Sequence, residues 1–476
     1  MASLVIRRSS FVPAVVYVAG GLFVALLATV SEASWLPVLY LLGGSTALMA
    51  WRMCKWPDQV ARYASFGALL LLVCALNRGL YFVDYLLSGQ RFDEWPFYAL
   101  SPGRAIFKAE VMTVLGTLLT VAAWSRTGGE RISPAIILDR SLVKSQALMA
   151  AYLISLLAML VSRVIPTLQS VLGQLLPSML GIGLVVSFLL PATRVRARNI
   201  RLLMVALMSA PFAVLAAGTG MKENMILSLL PLGVTAWLSF RGVVPRLTML
   251  VAGILAVGLI TSYVNFYRAE VWYTKQEGVP TEDVVRKFAS ETQSEGEGNV
   301  AREGVTALLG RNNASWHRGW AVSIADERGH YPDLIFSPML YVFVPRILWP
   351  GKPPIRQGWE YSGLVFGEQY VAWSTSSTAA GLYPAFYLGA GWFGVIFGAM
   401  LVGALLALMT KAAMKFGGPL AAGLYIFSMF PFILRLDEAW TVGALSGPVI
   451  SMVYVVLIAH AARVVAGLFK QRRTLP

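Results

Sequence analysis

The sequence predicts an all-α polytopic membrane protein with about twelve transmembrane helices and one large extracytoplasmic loop subdomain. Three observations lead there. The chain is 57% hydrophobic and only 13% charged, against about 25% charged in a soluble domain, and its mean hydropathy is +0.66. Its apolar residues come in blocks of roughly 18 or more with few charges, long enough to cross a bilayer as helix. Its basic residues also sort by side. With the N-terminus inside, the inner segments hold 21 Lys and Arg against three acidic residues (Asp58, Glu130 and Asp139), while the outer segments hold 18 basic and 21 acidic residues. That asymmetry is the positive-inside pattern. Together these features exclude a soluble enzyme, a disordered chain and a disulfide scaffold. The net charge of +15 becomes a topology signal, and no nucleic-acid partner is expected.

The spans read as 11–30, 35–51, 64–87, 106–124, 146–164, 168–190, 201–218, 224–240, 246–266, 383–409, 418–435 and 441–466. The first reads as a retained signal anchor, because its apolar stretch exceeds a typical signal-peptide core and Arg7-Arg8 precede it. Both termini are then cytoplasmic. Three regions follow: a nine-span N-terminal region (1–266), a large outer loop (267–382) and a three-span C-terminal region (383–476). The only cysteines are Cys54 and Cys74 and the only histidines His317, His330 and His460. No Cys or His spacing suggests a metal, so no metal and no cofactor is expected.

Two outer segments are long. The first, from about Asn77 to Lys108, carries Arg78, Asp84, Arg91, Asp93, Glu94 and Arg104. The second, from about Tyr267 to Leu382, carries eleven basic and thirteen acidic residues. Within it, 281–299 is polar and acidic and reads as a mobile strap. Residues 300–326 read as an amphipathic helix, with Leu309, Trp316, Trp320 and Ile324 on one face and Arg311 and Arg318 on the opposite one. Two guanidinium groups on one face can grip an extended anion; a solvated charged face reads equally well from this spacing. Residues 336–354 are too short and too proline-broken for a span, and fit a re-entrant or interfacial hook. The hook presents Arg346 and Lys352, with Trp349 between them, near membrane depth. Charge there is costly unless paired and is a functional hypothesis by default; snorkelling interfacial residues are the alternative. Arg78, Arg163 and Arg435 lie at outer span ends, and Glu110 lies inside an apolar run.

The segment VPRILWPGKP (344–353) resembles the last large outer loop of the Wzy-type oligosaccharide repeat-unit polymerases of bacterial surface-polysaccharide assembly. The span STAAGLYPAFYLGAGWFGVIFGAMLVGAL (377–405) follows as that family requires, and Arg318, ten residues and Gly329 match its arginine–ten–glycine loop pattern. The resemblance is best over 311–405. It implies a metal-independent glycosyltransferase of the inner membrane that joins undecaprenyl-pyrophosphate-linked oligosaccharides on the periplasmic face. A chain-length regulator and a flippase would be its partners. It implies Arg318 and Arg346 in catalysis, with Arg311, Lys352, Arg78, Arg163 and Arg435 available to the carrier pyrophosphate. Arginine suits that role because its fork is permanently charged and bidentate. Candidates for a general base are Glu368, Asp333 and His317. O-antigen ligases share this architecture and usually keep a loop histidine, which His317 and His330 would supply. A transporter fits less well, because no repeat relates the two halves.

Overall fold

The structure is a computed structural model. It describes residues 103–129, 145–165, 197–218, 222–240, 243–273, 280–296, 315–344, 351–367, 379–429 and 440–471, with short pieces around 70–74, 182–195, 299–306, 349 and 432–433. Every named element among these residues is helical. The elements are α1 (Gly103–Arg126), α2 (Ser145–Val164), α3 (Arg198–Ala217), α4 (Lys222–Ser239), α5 (Val243–Tyr267) running into a π-helical turn (Arg268–Tyr273), α6 (Thr281–Glu295), α7 (Ser315–Arg328), α8 (Pro332–Tyr341), α9 (Gln357–Phe366), α10 (Leu382–Ser428) and α11 (Thr441–Gln471). Five candidate spans are long and apolar enough to cross a membrane: Arg104–Arg126, Arg198–Ala217, Leu247–Val271, Leu382–Ile426 and Thr441–Leu468. The protein is therefore an all-helical membrane protein. The expected spans at 11–30, 35–51 and 64–87, and most of 168–190, lie outside the described residues.

The chain divides into two compact units. The first takes 1–133, 312–408 and 432–448, and the second 134–311, 409–431 and 449–476. In the first unit α1 packs closely on α10. The Thr120 hydroxyl lies 3.0 Å from the Tyr383 hydroxyl and donates to the Ala399 carbonyl at 3.1 Å. Small residues permit that approach, as they do wherever membrane helices meet backbone to backbone. A Cβ added at Gly403 would run into the Thr120 carbonyl oxygen, and one at Gly116 into the Tyr383 ring. Gly403→Ala is therefore expected to lower stability by about 1–3 kcal/mol, because the obstacle is backbone. Gly443→Ala, at a position with nothing within 4 Å of the new methyl, serves as the control. Equal melting temperatures for the two variants in detergent would remove the close approach.

Helix α10 is not straight. Gly391 has φ +60° and Gly418 φ +64°, a conformation glycine adopts without strain. At Gly391 the requirement is double, since a Cβ there would also crowd the His330 ring at 3.1 Å.

In the second unit, 281–295 form helix α6 and not the mobile strap the composition suggested. Glu282 and Asp283 occupy its first turn, favourable to the helix dipole. Val284 and Phe288, four apart, pack onto Tyr263, Val264 and Phe266 of α5, and Lys287 pairs with Glu270 at 2.7 Å. Gly296 ends the helix at φ +88°. The helix forms because two apolar residues at helical spacing found a partner that polarity alone did not reveal.

Candidate functional site

The expected amphipathic helix over 300–326 also takes another form. Residues 302–306 and α7 are helical, but α7 has no solvated face from Arg318 to Ala325, where every residue is buried. It lies against α1 and near α9. The apolar periodicity marked one face; the other is covered too, and its charge is matched from α1. Arg318 is 3% exposed and Glu110 0%. The guanidinium donates to Glu110 Oε1 through Nε at 2.9 Å and Nη2 at 2.5 Å. Two of the Arg318 donors expected to grip an anion thus face a carboxylate of the protein. The aromatic neighbourhood is closed as well: Trp320 stands edge-on to His317 and Phe366, with ring centroids at 5.2 Å in each case. The His317 carbonyl accepts the Tyr361 hydroxyl at 2.6 Å. Complete burial pushes the Tyr361 phenol well above its usual value despite a backbone hydrogen bond, so it remains a donor.

Lys352, between α8 and α9, is buried. Its ammonium donates to the Val342 carbonyl at 3.0 Å and the Val344 carbonyl at 2.8 Å, closing the backbone at the end of α8. Trp349 is partly exposed and stands edge-on to Tyr341. Asp333 lies exposed in the first turn of α8, 3.4 Å from the Ser337 hydroxyl. Arg163 falls in α2. Arg78, Arg311, Arg346, Glu368 and Arg435 lie outside the described residues. Of the expected site residues, the structure brings His317 and Arg318 into α7 and describes Lys352 and Trp349 between α8 and α9.

One further cluster, which sequence reasoning missed, joins α1, α7 and α10 of the first unit. Lys108 donates to Asp326 Oδ1 at 2.8 Å and Oδ2 at 2.7 Å, and to the Tyr387 hydroxyl at 2.6 Å. Tyr387 donates in turn to Asp326 Oδ1 at 2.6 Å. His330 stands edge-on to Tyr387 at 5.8 Å. The Tyr331 amide donates to the Leu388 carbonyl at 2.8 Å and ties the turn after α7 to α10. Partial burial pushes the Asp326 carboxyl up, but the hydrogen bonds from Lys108 and Tyr387 and the charges of Lys108 and His330 outweigh it and hold the carboxyl below its ordinary value. A carboxyl lowered on folding stabilises above its unfolded range and loses that contribution as pH falls through the folded value. The pair therefore works at neutral pH and fails only in acid. No sequence spacing could have found it, since Lys108 and Asp326 are 218 residues apart.

Fold and site together define a helical membrane protein whose apolar bundle carries two charge pairs between α1 and α7, one sealed and one open. The chain belongs to the family described as a domain of unknown function, DUF8712, whose model matches residues 104–466. That match starts in the first turn of α1, ends within α11 and includes both charge pairs. No curated protein and no solved structure matches the chain.

Proposed function

We propose that the protein polymerises undecaprenyl-pyrophosphate-linked oligosaccharide repeat units into a surface polysaccharide on the periplasmic face of the bacterial inner membrane. Both termini would then be cytoplasmic. The observation that carries the reading is the sequence run of 344–353, proline–arginine, tryptophan–proline and lysine–proline, which lies in the chain between α8 and α9. The chemistry suits such a chain. The leaving group is a pyrophosphate diester, so the enzyme needs fixed positive charge where negative charge develops and a group to take the acceptor hydroxyl's proton. Arg346, which follows Pro345 in that run, supplies the first. Arg311, Arg78, Arg163 and Arg435 are the further candidates for the carrier phosphates. A flippase would deliver the lipid-linked units and a chain-length regulator would set the product size.

Deleting the gene and resolving surface polysaccharide on a gel tests the reading. Single-unit product supports it; full-length chains in normal amount overturn it. An O-antigen ligase is the second reading, favoured by the exposed His330 beside Asp326 and Tyr387. It predicts intact polymer that never reaches its final acceptor. Purified protein should also extend lipid-linked repeat units in excess chelator. Among the described residues no three His, Cys, Asp or Glu side chains are grouped to hold a metal ion. Turnover lost on chelation and restored by magnesium would contradict the arginine-based mechanism and bring forward Asp93 and Glu94.

A further inference from the structure

We propose that Asp326 is the general base that takes the proton from the acceptor sugar's hydroxyl, an assignment that rests on the polymerase reading and names the residue that reading lacks.

An ionised carboxylate offers about four lone-pair positions. In Asp326 three are occupied: two on Oδ1, by Lys108 and Tyr387, and one on Oδ2, by Lys108. The fourth, on Oδ2, has no protein partner among the described residues, and the side chain is 41% exposed. The carboxylate is thus locked in direction and open at one position. The ammonium behind it has its three donors engaged, two by Asp326 and one by Tyr387, so Lys108 fixes the carboxylate and is not itself free for an anion. The other described carboxylates of this unit lack one feature or the other. Glu110 is sealed in its pair. Glu327 accepts the Ser323 hydroxyl of its own helix, and Asp333 has one long contact from Ser337. Among the described carboxylates of this unit, Glu360 of α9 included, only Asp326 combines three anchoring hydrogen bonds from two other helices with an open lone pair.

The position of the cluster suits the task. Lys108 lies near the start of α1, Tyr387 near the start of α10 and Asp326 in the last turn of α7. In the topology read from charge, both apolar helices start on the outer side, where the lipid-linked units arrive. The step balances. The acceptor hydroxyl oxygen forms a bond to the anomeric carbon of the growing chain while its proton passes to Asp326 Oδ2. The bond from the anomeric carbon to the pyrophosphate breaks, and its electron pair leaves with the undecaprenyl pyrophosphate. Asp326 then returns the proton to water. A carboxylate of low basicity is adequate for this, as in inverting glycoside hydrolysis, where one carboxylate activates the attacking water of an oxocarbenium-like displacement. The hydroxyl becomes strongly acidic only as its new bond forms. The charged and titratable groups that face the carboxylate are Lys108 from α1, Tyr387 from α10 and His330 from the turn before α8.

The test uses purified full-length protein in lipid vesicles with lipid-linked repeat units, measured across pH. Asp326→Asn is expected to lose about 100-fold in kcat, to keep KM for the lipid-linked donor within about threefold, and to lose the acid limb of the pH profile. Tyr387→Phe keeps the ring but removes one donor to Oδ1. It is expected to shift the acid limb upward in pH as the carboxyl returns toward its ordinary value, a change that a purely structural role would not produce. Wild-type protein that makes no polymer overturns the polymerase reading and this assignment together. Wild-type protein that polymerises, beside a folded Asp326→Asn variant with kcat within about threefold and the same acid limb, overturns the assignment alone. If Asp326→Asn fails to reach the membrane, Tyr387→Phe decides. An unmoved acid limb in that variant overturns the assignment.

Discussion

Glu110→Ala is expected to cost the folded protein about 3–5 kcal/mol, enough to empty the membrane of most of it. The substitution leaves the Arg318 guanidinium 3% exposed without the carboxylate that takes two of its hydrogen bonds. Arg318→Ala is expected to cost less. A stranded carboxyl can be neutralised by taking up a proton, whereas a stranded guanidinium cannot lose one. Removing both charges at once, as Glu110→Leu with Arg318→Met, should recover more protein than Glu110→Ala, because apolar groups of similar volume satisfy a buried site that no longer holds a charge. Abundance in isolated membranes and melting temperature in detergent measure all three. Wild-type abundance for Glu110→Ala would mean the pair is not a structural element.

If the protein is the proposed polymerase, Arg346→Ala is expected to reduce polymer by about 100- to 1,000-fold while leaving abundance unchanged. That is the range observed when a preorganised donor to developing negative charge is removed. Arg346 follows Pro345, which fixes the local backbone, and precedes the Pro350-Gly351 turn. Lys352, beyond that turn in the chain, donates to the Val342 and Val344 carbonyls. Arg346→Lys should recover only part of the activity, since a point charge replaces a bidentate fork. A fully active Arg346→Ala protein at normal abundance would remove the hook from the mechanism and leave the pyrophosphate to other arginines.

The membrane character was legible because it is written in composition. Runs of apolar residues need no partner to be recognised, and the helices of the five candidate spans coincide with them. The charge pairs were only half legible. Glu110 stood out inside an apolar run, and Arg318 stood out by its spacing from Arg311 and Gly329. That each answers the other is a fact of tertiary packing, and nothing in a 208-residue separation reports it. Asp326 was missed for the same reason: beside Glu327 and Arg328 it reads as the polar end of a surface helix. Residues 281–295, expected as a strap, are helical because polarity is only part of the signal there. Val284 and Phe288 were there, but two apolar residues commit to helix only when a neighbour such as Tyr263 covers them.

The bends in α10 have a consequence in thickness. As one straight rod its 47 residues would measure roughly 70 Å, more than twice the hydrocarbon slab of a bilayer. Gly391 and Gly418 divide that length. From Trp392, just past the first bend, to Lys411 is a rise of roughly 28 Å, close to the slab itself. A tryptophan at one end and lysines at 411 and 415 at the other are the residues that settle at the two water boundaries. Between them Phe393, Ile396, Phe397, Met400, Leu401 and Leu408 are exposed at spacings of three and four, an oily stripe along one flank. The stretch is therefore a ruler. In a bilayer it would hold Trp392 near one water boundary, and the Phe386 backbone, packed against Gly394 of the same stretch, would bring Tyr387 and the Lys108–Asp326 pair close to that boundary.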